Sequence, residues 1–159
     1  MIRKTLQAFT LIELLVVIGI LAVLLTIVLI AINPARQFMQ SNDTKRRNDV
    51  VALLDAVHQY AADNRGNITA LAIPDTTAGA AVIGDGLGEV NLICLELVTD
   101  YLAALPQDPL SNNGIAITEA DCTAGGYTTG YTIVRSVANN RITVAAPSGE
   151  LDPNISVTR

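Results

Sequence analysis

An unbroken apolar run near the N-terminus sets the first limit on what this chain can form. Residues 14–32 are 19 consecutive positions without a charged side chain, and only Gly19 and Thr26 interrupt the aliphatic residues. As an α-helix rising about 1.5 Å per residue, the run is roughly 28 Å long, which matches the roughly 30 Å core of a lipid bilayer. It therefore predicts a helix that crosses a membrane once.

The hydrophobic composition of the chain reflects that run. Half of the 159 residues are hydrophobic, yet only 4% are aromatic, so the excess is aliphatic, as in membrane segments. The remaining length allows one small domain with a modest core. From residue 66 onward ten acids face three arginines, so this part is acidic and gives no indication of nucleic-acid binding.

Residues 1–8 form a short segment with two basic side chains, Arg3 and Lys4, as in the positive region of an export signal. An ordinary secretory signal is cut after its apolar stretch, at a site of small residues. Residues 31–34 offer no such site, whereas the small residue Ala8 precedes the run. We therefore expect the apolar helix to stay attached to the mature chain.

Basic residues lie on both sides of the apolar run, so the positive-inside rule alone leaves the orientation of the helix open. The export-like leader favours an N-terminus in the cytoplasm, and the acidic domain suits the outside. That domain contains one pair of cysteines, Cys94 and Cys122, which in an exported domain indicates a disulfide. Two buried free thiols are the alternative.

Helical periodicity continues beyond the apolar run. Pro34 either kinks the helix or starts a second one, because proline lacks the N–H that the helical ladder needs. Residues 50–61 carry apolar side chains at helical spacing, so residues 33–65 are predicted to continue as an amphipathic helix, with Gly66 as its stop. The basic residues 45–47 are interpreted as a solvated helix face, with contacts to acidic neighbouring heads as the functional alternative.

Residues 66–159 are predicted to form a globular head. A surface connection with room for one short turn or strand comes first, between Gly66 and Gly88, followed by a short helix at residues 89–105. A β-hairpin is predicted at residues 127–146, with a third strand near residues 115–118. The predicted fold class is α+β, with a long N-terminal helix, half transmembrane and half amphipathic, packed on a small antiparallel sheet.

Glu13 stands at the start of the otherwise uncharged helix. A carboxylate inside a spanning helix costs about 2.5 to 3.5 kcal/mol on insertion scales, so it normally has a function or a partner. Alternatively, a carboxylate roughly one turn inside the boundary can reach the lipid headgroups. The physical argument alone leaves both interpretations open.

Residues 8–13, Ala-Phe-Thr-Leu-Ile-Glu, resemble the cleavage and methylation motif of type IV prepilins and pseudopilins. The resemblance implies that a membrane prepilin peptidase removes residues 1–8 by cutting between Ala8 and Phe9, and that Phe9 is then N-methylated. It also implies that Glu13 pairs with the N-terminal amine of a neighbouring subunit during assembly. The family usually has Gly before the cut, where this chain has the similarly small Ala8.

The same resemblance implies a pilin-like fold, a set of partners and a location. Residues 9–32 would be the transmembrane helix and then the assembly helix of a filament built from copies of this chain. The other implied partners are the prepilin peptidase and methyltransferase, a membrane assembly platform and its ATPase. The precursor would be a single-pass protein of the cytoplasmic (inner) membrane with its head outside the cytoplasm, and the filament extracellular or periplasmic.

Residues 105–109, Leu-Pro-Gln-Asp-Pro, resemble a segment of the major pseudopilins of type II secretion, some of which bind calcium nearby. Four side chains in or after this segment offer the oxygen ligands that a hard cation prefers: Asp108, Asn112, Asn113 and Asp121. Their spacing matches no defined calcium loop, and a proline-bounded turn with solvated acids is the alternative. The prediction is therefore a protein without a cofactor, with calcium as the one candidate.

Three hypotheses for the function follow. The chain lacks a nucleophile elbow, a phosphate loop and paired catalytic carboxylates, and His58 is its only histidine, so an enzyme is not expected. The first hypothesis is a structural subunit of a type IV pilus-like filament. The alternatives are a pseudopilin of a type II secretion system and, from another class, a signal-anchored membrane binding protein that does not polymerise.

Overall fold

The computed structural model describes residues 9–159. The chain divides into two compact units, the first ending at Phe38 and the second beginning at Met39. Its helices and strands follow in the order α1 (Leu11–Ile32), α2 (Pro34–Asp63), β1 (Ala81–Gly84), α3 (Leu92–Leu97), α4 (Glu119–Ala124), β2 (Thr128–Arg135), β3 (Ile142–Ala146) and β4 (Ile155–Thr158). This is the predicted α+β, pilin-like architecture.

Helix α1 is the predicted apolar helix. It is long and apolar enough to cross a membrane, with a mean hydropathy of 3.4, and none of its side chains is buried. It ends at Ile32 because Asn33 adopts a left-handed conformation with φ of 45°. Pro34 then begins α2, where a missing N–H costs nothing. Of the two alternatives for Pro34, the start of a second helix is the one found.

Helix α2 buries the predicted apolar stripe. Val50, Leu53, Leu54 and Val57 are at most 1% exposed and join one core with residues of the sheet. The hydroxyl of Tyr131 on β2 donates a hydrogen bond of 2.7 Å to the Asp49 carboxylate on α2. Side-chain burial and this hydrogen bond together hold α2 against the sheet.

The sheet is fully antiparallel, with strand order β1-β2-β3-β4. The predicted hairpin is present as β2 and β3, and Asn140 in its turn takes a left-handed conformation with φ of 57°. The predicted strand at residues 115–118 is wrong. Only Ile117 pairs there, in an isolated bridge to Leu105, because the chain turns away on both sides of it. Strands β1 and β4 occupy the two edges instead.

The predicted helix at residues 89–105 is too long. Only Leu92–Leu97 is helical, because Val98 is extended and Thr99 has a φ of 81°, a conformation that no helix contains. The Thr99 N–H bonds to the Leu102 carbonyl at 2.7 Å, which closes a tight turn. The turn buries apolar residues that follow Leu97. Their spacing in the sequence is close to that of a buried helix face, which is why the predicted helix was too long.

Candidate processing and assembly site

The site predicted for cleavage lies at the start of the described chain. Ala8 falls outside the described residues, and Phe9 is the first residue that the structure describes. The Phe9 side chain is 83% exposed, and the helix begins two residues later, at Leu11. The sequence-predicted methylation residue therefore lies just before the helix.

Thr10 and Glu13 form a capping box at the start of α1. Glu13 Oε2 accepts hydrogen bonds from the backbone N–H of Thr10 at 2.9 Å and from the Thr10 hydroxyl at 2.6 Å. The Glu13 N–H in turn donates to Thr10 Oγ1 at 3.3 Å. Two N–H groups that a helix start would leave unsatisfied are thereby bonded, which stabilises the helix start.

The capping box leaves part of the Glu13 carboxylate free. Both of its hydrogen bonds go to Oε2, and within residues 9–159 Oε1 accepts none. A carboxylate has room for further donors on its second oxygen, so Glu13 can hold its own helix start and still accept a bond from an ammonium group. Sequence reasoning missed the role of Thr10, although a Thr followed three residues later by Glu before an apolar run is a capping-box signature.

Residues 3–29 match the family model described as the prokaryotic N-terminal methylation motif. The chain has a prepilin-type N-terminus. The match covers the leader and most of α1, and it supports a type IV pilin-like or pseudopilin-like precursor. This motif belongs to structural proteins and implies processing by a prepilin peptidase and assembly into pilus-type filaments. No curated protein and no solved structure matches the chain.

In the head of this prepilin-type chain, the two cysteines are bonded to each other. Cys94 on α3 and Cys122 on α4 form a disulfide with a Cα–Cα distance of 5.7 Å, and both residues are buried. The bond joins two six-residue helices, which are too short to be stable on their own. The disulfide therefore ties two weak elements together.

One of the three basic residues at positions 45–47 is not solvated. Arg46 is fully buried: Nε and Nη2 donate to both oxygens of Asp108, at 2.7 and 3.0 Å. Its Nη1 donates to Asp43 at 2.8 Å and to Glu150 at 3.2 Å. These four residues are called the Arg46 cluster below. The predicted solvated face is wrong for Arg46 because three carboxylates from separate segments converge on it.

Hydrogen bonds keep two members of the Arg46 cluster, Asp43 and Arg46, in their charged forms. Burial favours a raised pKa for Asp43, but the N–H groups of Glu150, Leu151 and Asp152, together with Arg46, outweigh burial and lower this pKa to about 2. The hydrogen bonds from Arg46 to Asp108 raise the pKa of the guanidinium. Asp43 thereby fixes the turn before β4 to α2.

The four calcium candidates do not meet at one point. The Asp108 carboxylate is bonded to Arg46, and that of Asp121 accepts from the N–H and hydroxyl of Thr118, at 2.8 and 2.7 Å. Asn112 and Asp121 line the same cleft of about 380 Å³, whereas Asn113 is exposed in the turn before it. No group of three or more His, Cys, Asp or Glu able to hold a metal occurs within residues 9–159. Calcium binding stays a prediction.

Proposed function

We propose that this protein is a structural subunit of a type IV pilus-like filament. It enters the membrane as a prepilin, is cleaved between Ala8 and Phe9, is methylated on Phe9 and polymerises through α1. The observation that carries the proposal is the methylation motif at residues 3–29, which includes most of an apolar helix of spanning length. The head would lie outside the cytoplasm, in keeping with its disulfide.

The proposed assembly step pairs two charges that are costly in lipid. Cleavage creates an ammonium group at Phe9, and the free Oε1 of Glu13 on a neighbouring subunit can accept its N–H. Both charges are then compensated, which offsets the cost of holding each of them in an apolar environment. Charge pairing therefore favours the assembled state over separate subunits.

In this proposal the apolar surface of α1 suits both the membrane-inserted subunit and the assembled filament. Its side chains are exposed in the single chain, so they meet lipid before assembly and neighbouring helices after it. A contact between two different faces that repeats without closing generates a helical fibre. The energy for extraction from the membrane would come from an ATPase acting through an assembly platform.

The first test is intact-mass and N-terminal peptide analysis of protein taken from native membranes and from sheared surface material. We expect a chain that begins at methylated Phe9 in both fractions. A membrane form that still begins at Met1 would show a signal-anchored protein instead, because an anchor of that class keeps its leader. A processed chain absent from every filament fraction would contradict the structural role.

A pseudopilin of type II secretion is the second candidate. It is favoured by Leu-Pro-Gln-Asp-Pro at residues 105–109, in which Asp108 is buried against Arg46. Deletion of the gene separates the two candidates. Loss of surface fibres with normal protein secretion favours the pilus, and accumulation of secreted proteins in the periplasm with intact fibres favours the pseudopilin.

A further inference from the structure

A small cleft of about 200 Å³ lies at the end of β2, next to the turn at Thr69–Leu71. It is called the Arg135 cleft below, and its lining consists of Ile68, Thr69, Ala72, Ile73 and Arg135. The backbone of Arg135 is fixed by two hydrogen bonds, one to the Pro74 carbonyl at 2.8 Å and one from the Thr76 N–H at 2.9 Å. The cleft therefore presents one cation on a rigid strand end among largely apolar side chains.

The Arg135 guanidinium has no partner within residues 9–159. It forms no ion pair or side-chain hydrogen bond there, and its Nε is buried without an acceptor. The Asp75 carboxylate lies near enough for its charge to interact with that of Arg135, but it accepts its hydrogen bonds from Thr77 and Ala78. A buried N–H without an acceptor is costly, and most such groups in proteins are satisfied. The cleft is thus lined by a guanidinium that has no hydrogen-bond acceptor within the described residues.

Among the other cations of residues 39–159, only the exposed Arg65 likewise has no ion pair or side-chain hydrogen bond within the described chain. Four others contact carboxylates of the same chain: Lys45, Arg46, Arg47 and Arg159. Arg141, at the start of the neighbouring strand, donates to the Thr158 carbonyl at 3.3 Å. Arg135 combines a buried, unsatisfied N–H with an open cleft.

We propose that the Arg135 cleft binds a carboxylate side chain from a second copy of this chain, an inference that rests on the proposed filament. A carboxylate matches the fork of a guanidinium, which can donate two parallel hydrogen bonds to it. The cleft, at about 200 Å³, is large enough to admit one acidic side chain, and its apolar lining suits the methylene groups of such a side chain. The site accordingly takes an Asp or Glu.

Charge explains why the partner is another copy. Residues 39–159 contain fourteen acids and seven basic residues, so heads brought side by side repel one another. Each contact between heads is stabilised where an unpaired cation meets an acid. Asp100 and Glu119 are exposed, and their carboxylates accept no hydrogen bond within the described chain. Either residue can supply the carboxylate.

Charge reversal in the full chain tests the contact in filaments. Arg135→Glu should leave processing and membrane abundance unchanged. It should reduce the yield of sheared filaments by about fivefold, which corresponds to the upper end of the energies measured for exposed ion pairs. Arg141→Glu is the matched control and should keep its filaments. Combining Arg135→Glu with Asp100→Lys or Glu119→Lys should restore the yield in one of the two pairs. Normal filaments from Arg135→Glu, or no restoration by either pair, would overturn the proposal.

A second measurement does not depend on filaments. In ¹⁵N-labelled full-length protein in detergent micelles, glutarate should shift the Arg135 Nε–H resonance saturably and leave that of Arg141 unmoved. Absence of this shift overturns carboxylate binding whatever the filament result. If the shift occurs but the protein never forms filaments, the cleft binds carboxylates but its ligand is not a second copy of this chain. That result would also overturn the proposed function.

Discussion

At the scale of single residues, two acids in this chain act through hydrogen bonds that composition does not reveal. Glu13 caps its own helix through Thr10, and its second oxygen accepts no hydrogen bond from residues 9–159. Asp43 accepts three backbone N–H groups of the turn before β4 and also bonds Arg46. In both cases the hydrogen bonds that the carboxylate accepts determine its role: Glu13 stabilises a helix start, and Asp43 holds a turn against α2.

Glu13→Gln tests the charge at the start of α1. The amide keeps an oxygen that can accept from Thr10, so we expect insertion and cleavage as in the wild type. Filament yield should fall at least about tenfold, because a hydrogen bond to a charged group is stronger than one to a neutral amide. Immunoblots of membrane and sheared fractions measure both quantities. Thr10→Ser, which preserves the hydroxyl, is the control and should assemble normally.

Arg46→Met tests the Arg46 cluster. Removing the cation leaves buried carboxylates of Asp43 and Asp108 uncompensated, which should destabilise the head by about 3 to 5 kcal/mol. Thermal unfolding of the detergent-solubilised protein, followed by tyrosine circular dichroism, measures the loss. The neighbouring Arg47→Met removes an exposed pair with Asp152 and should unfold almost as the wild type does. Equal melting temperatures for Arg46→Met and Arg47→Met would contradict the expectation that the buried ion pairs stabilise the head more than the exposed one.

Acid should weaken the head through the same cluster. Asp43 has a folded-state pKa of about 2, below its usual 3.8, so it binds protons less readily when folded than when unfolded. Its contribution to stability is therefore complete above about pH 5 and is lost as pH falls through 4 towards 2. Asp43→Asn removes this titration, and its unfolding should depend less steeply on pH in that window. A parallel pH dependence in both proteins would rule out Asp43 as a major source.

At the scale of elements, the hydrophobic pattern of the sequence predicted helices and strands correctly where an element buries a single face. It predicted α1, the stripe of α2 and the β2–β3 hairpin. It failed for α3, because a helix and a tight turn can bury the same apolar residues after Leu97. It allowed a short turn or strand in the segment that contains β1 but did not locate β1, and it did not predict β4. Each of these edge strands is four residues long, and its pairing with β2 or β3 is set by the sheet and not by its own composition.

The disulfide acts at this scale, because it joins α3 to α4. The double variant Cys94→Ser/Cys122→Ser should lower the free energy of unfolding by roughly 3 to 4 kcal/mol, the loop-closure contribution expected for a loop of this length. Urea unfolding of oxidised, reduced and double-variant protein provides the comparison. Reduced wild type should match the variant, and identical midpoints for all three samples would show that the bond contributes nothing.

At the scale of the whole molecule, the candidate site lies in one short stretch of sequence, whereas the interactions of the head join distant segments. Ala8, Phe9 and Glu13 lie within six consecutive residues, so a local pattern is enough to predict them as a site. The Arg46 cluster and the Arg135 cleft each depend on segments that lie far apart in the chain and meet only after folding. No local spacing encodes such contacts, and a buried arginine in a run of basic residues looks like a solvated one.

In the proposed processing step, the residue before the cut, Ala8, decides whether the leader is removed. Ala8→Gly should be processed at least as fast as the wild type, and Ala8→Leu should accumulate as precursor because a bulky residue does not fit a site for small ones. A pulse-chase experiment with gel separation of precursor and mature protein compares the rates. Equal processing of all three proteins would place the cut at another bond.

The capping box also bears on what happens when a fibre is taken apart. Because Thr10 already satisfies one oxygen of Glu13, a subunit that loses its neighbour does not return to the bilayer with a bare carboxylate. The helix start has these local hydrogen bonds in the single chain, without any neighbour. In the proposed filament, disassembly would therefore regenerate a competent monomer that needs no refolding, and the membrane could hold a reusable reserve of subunits between cycles of growth.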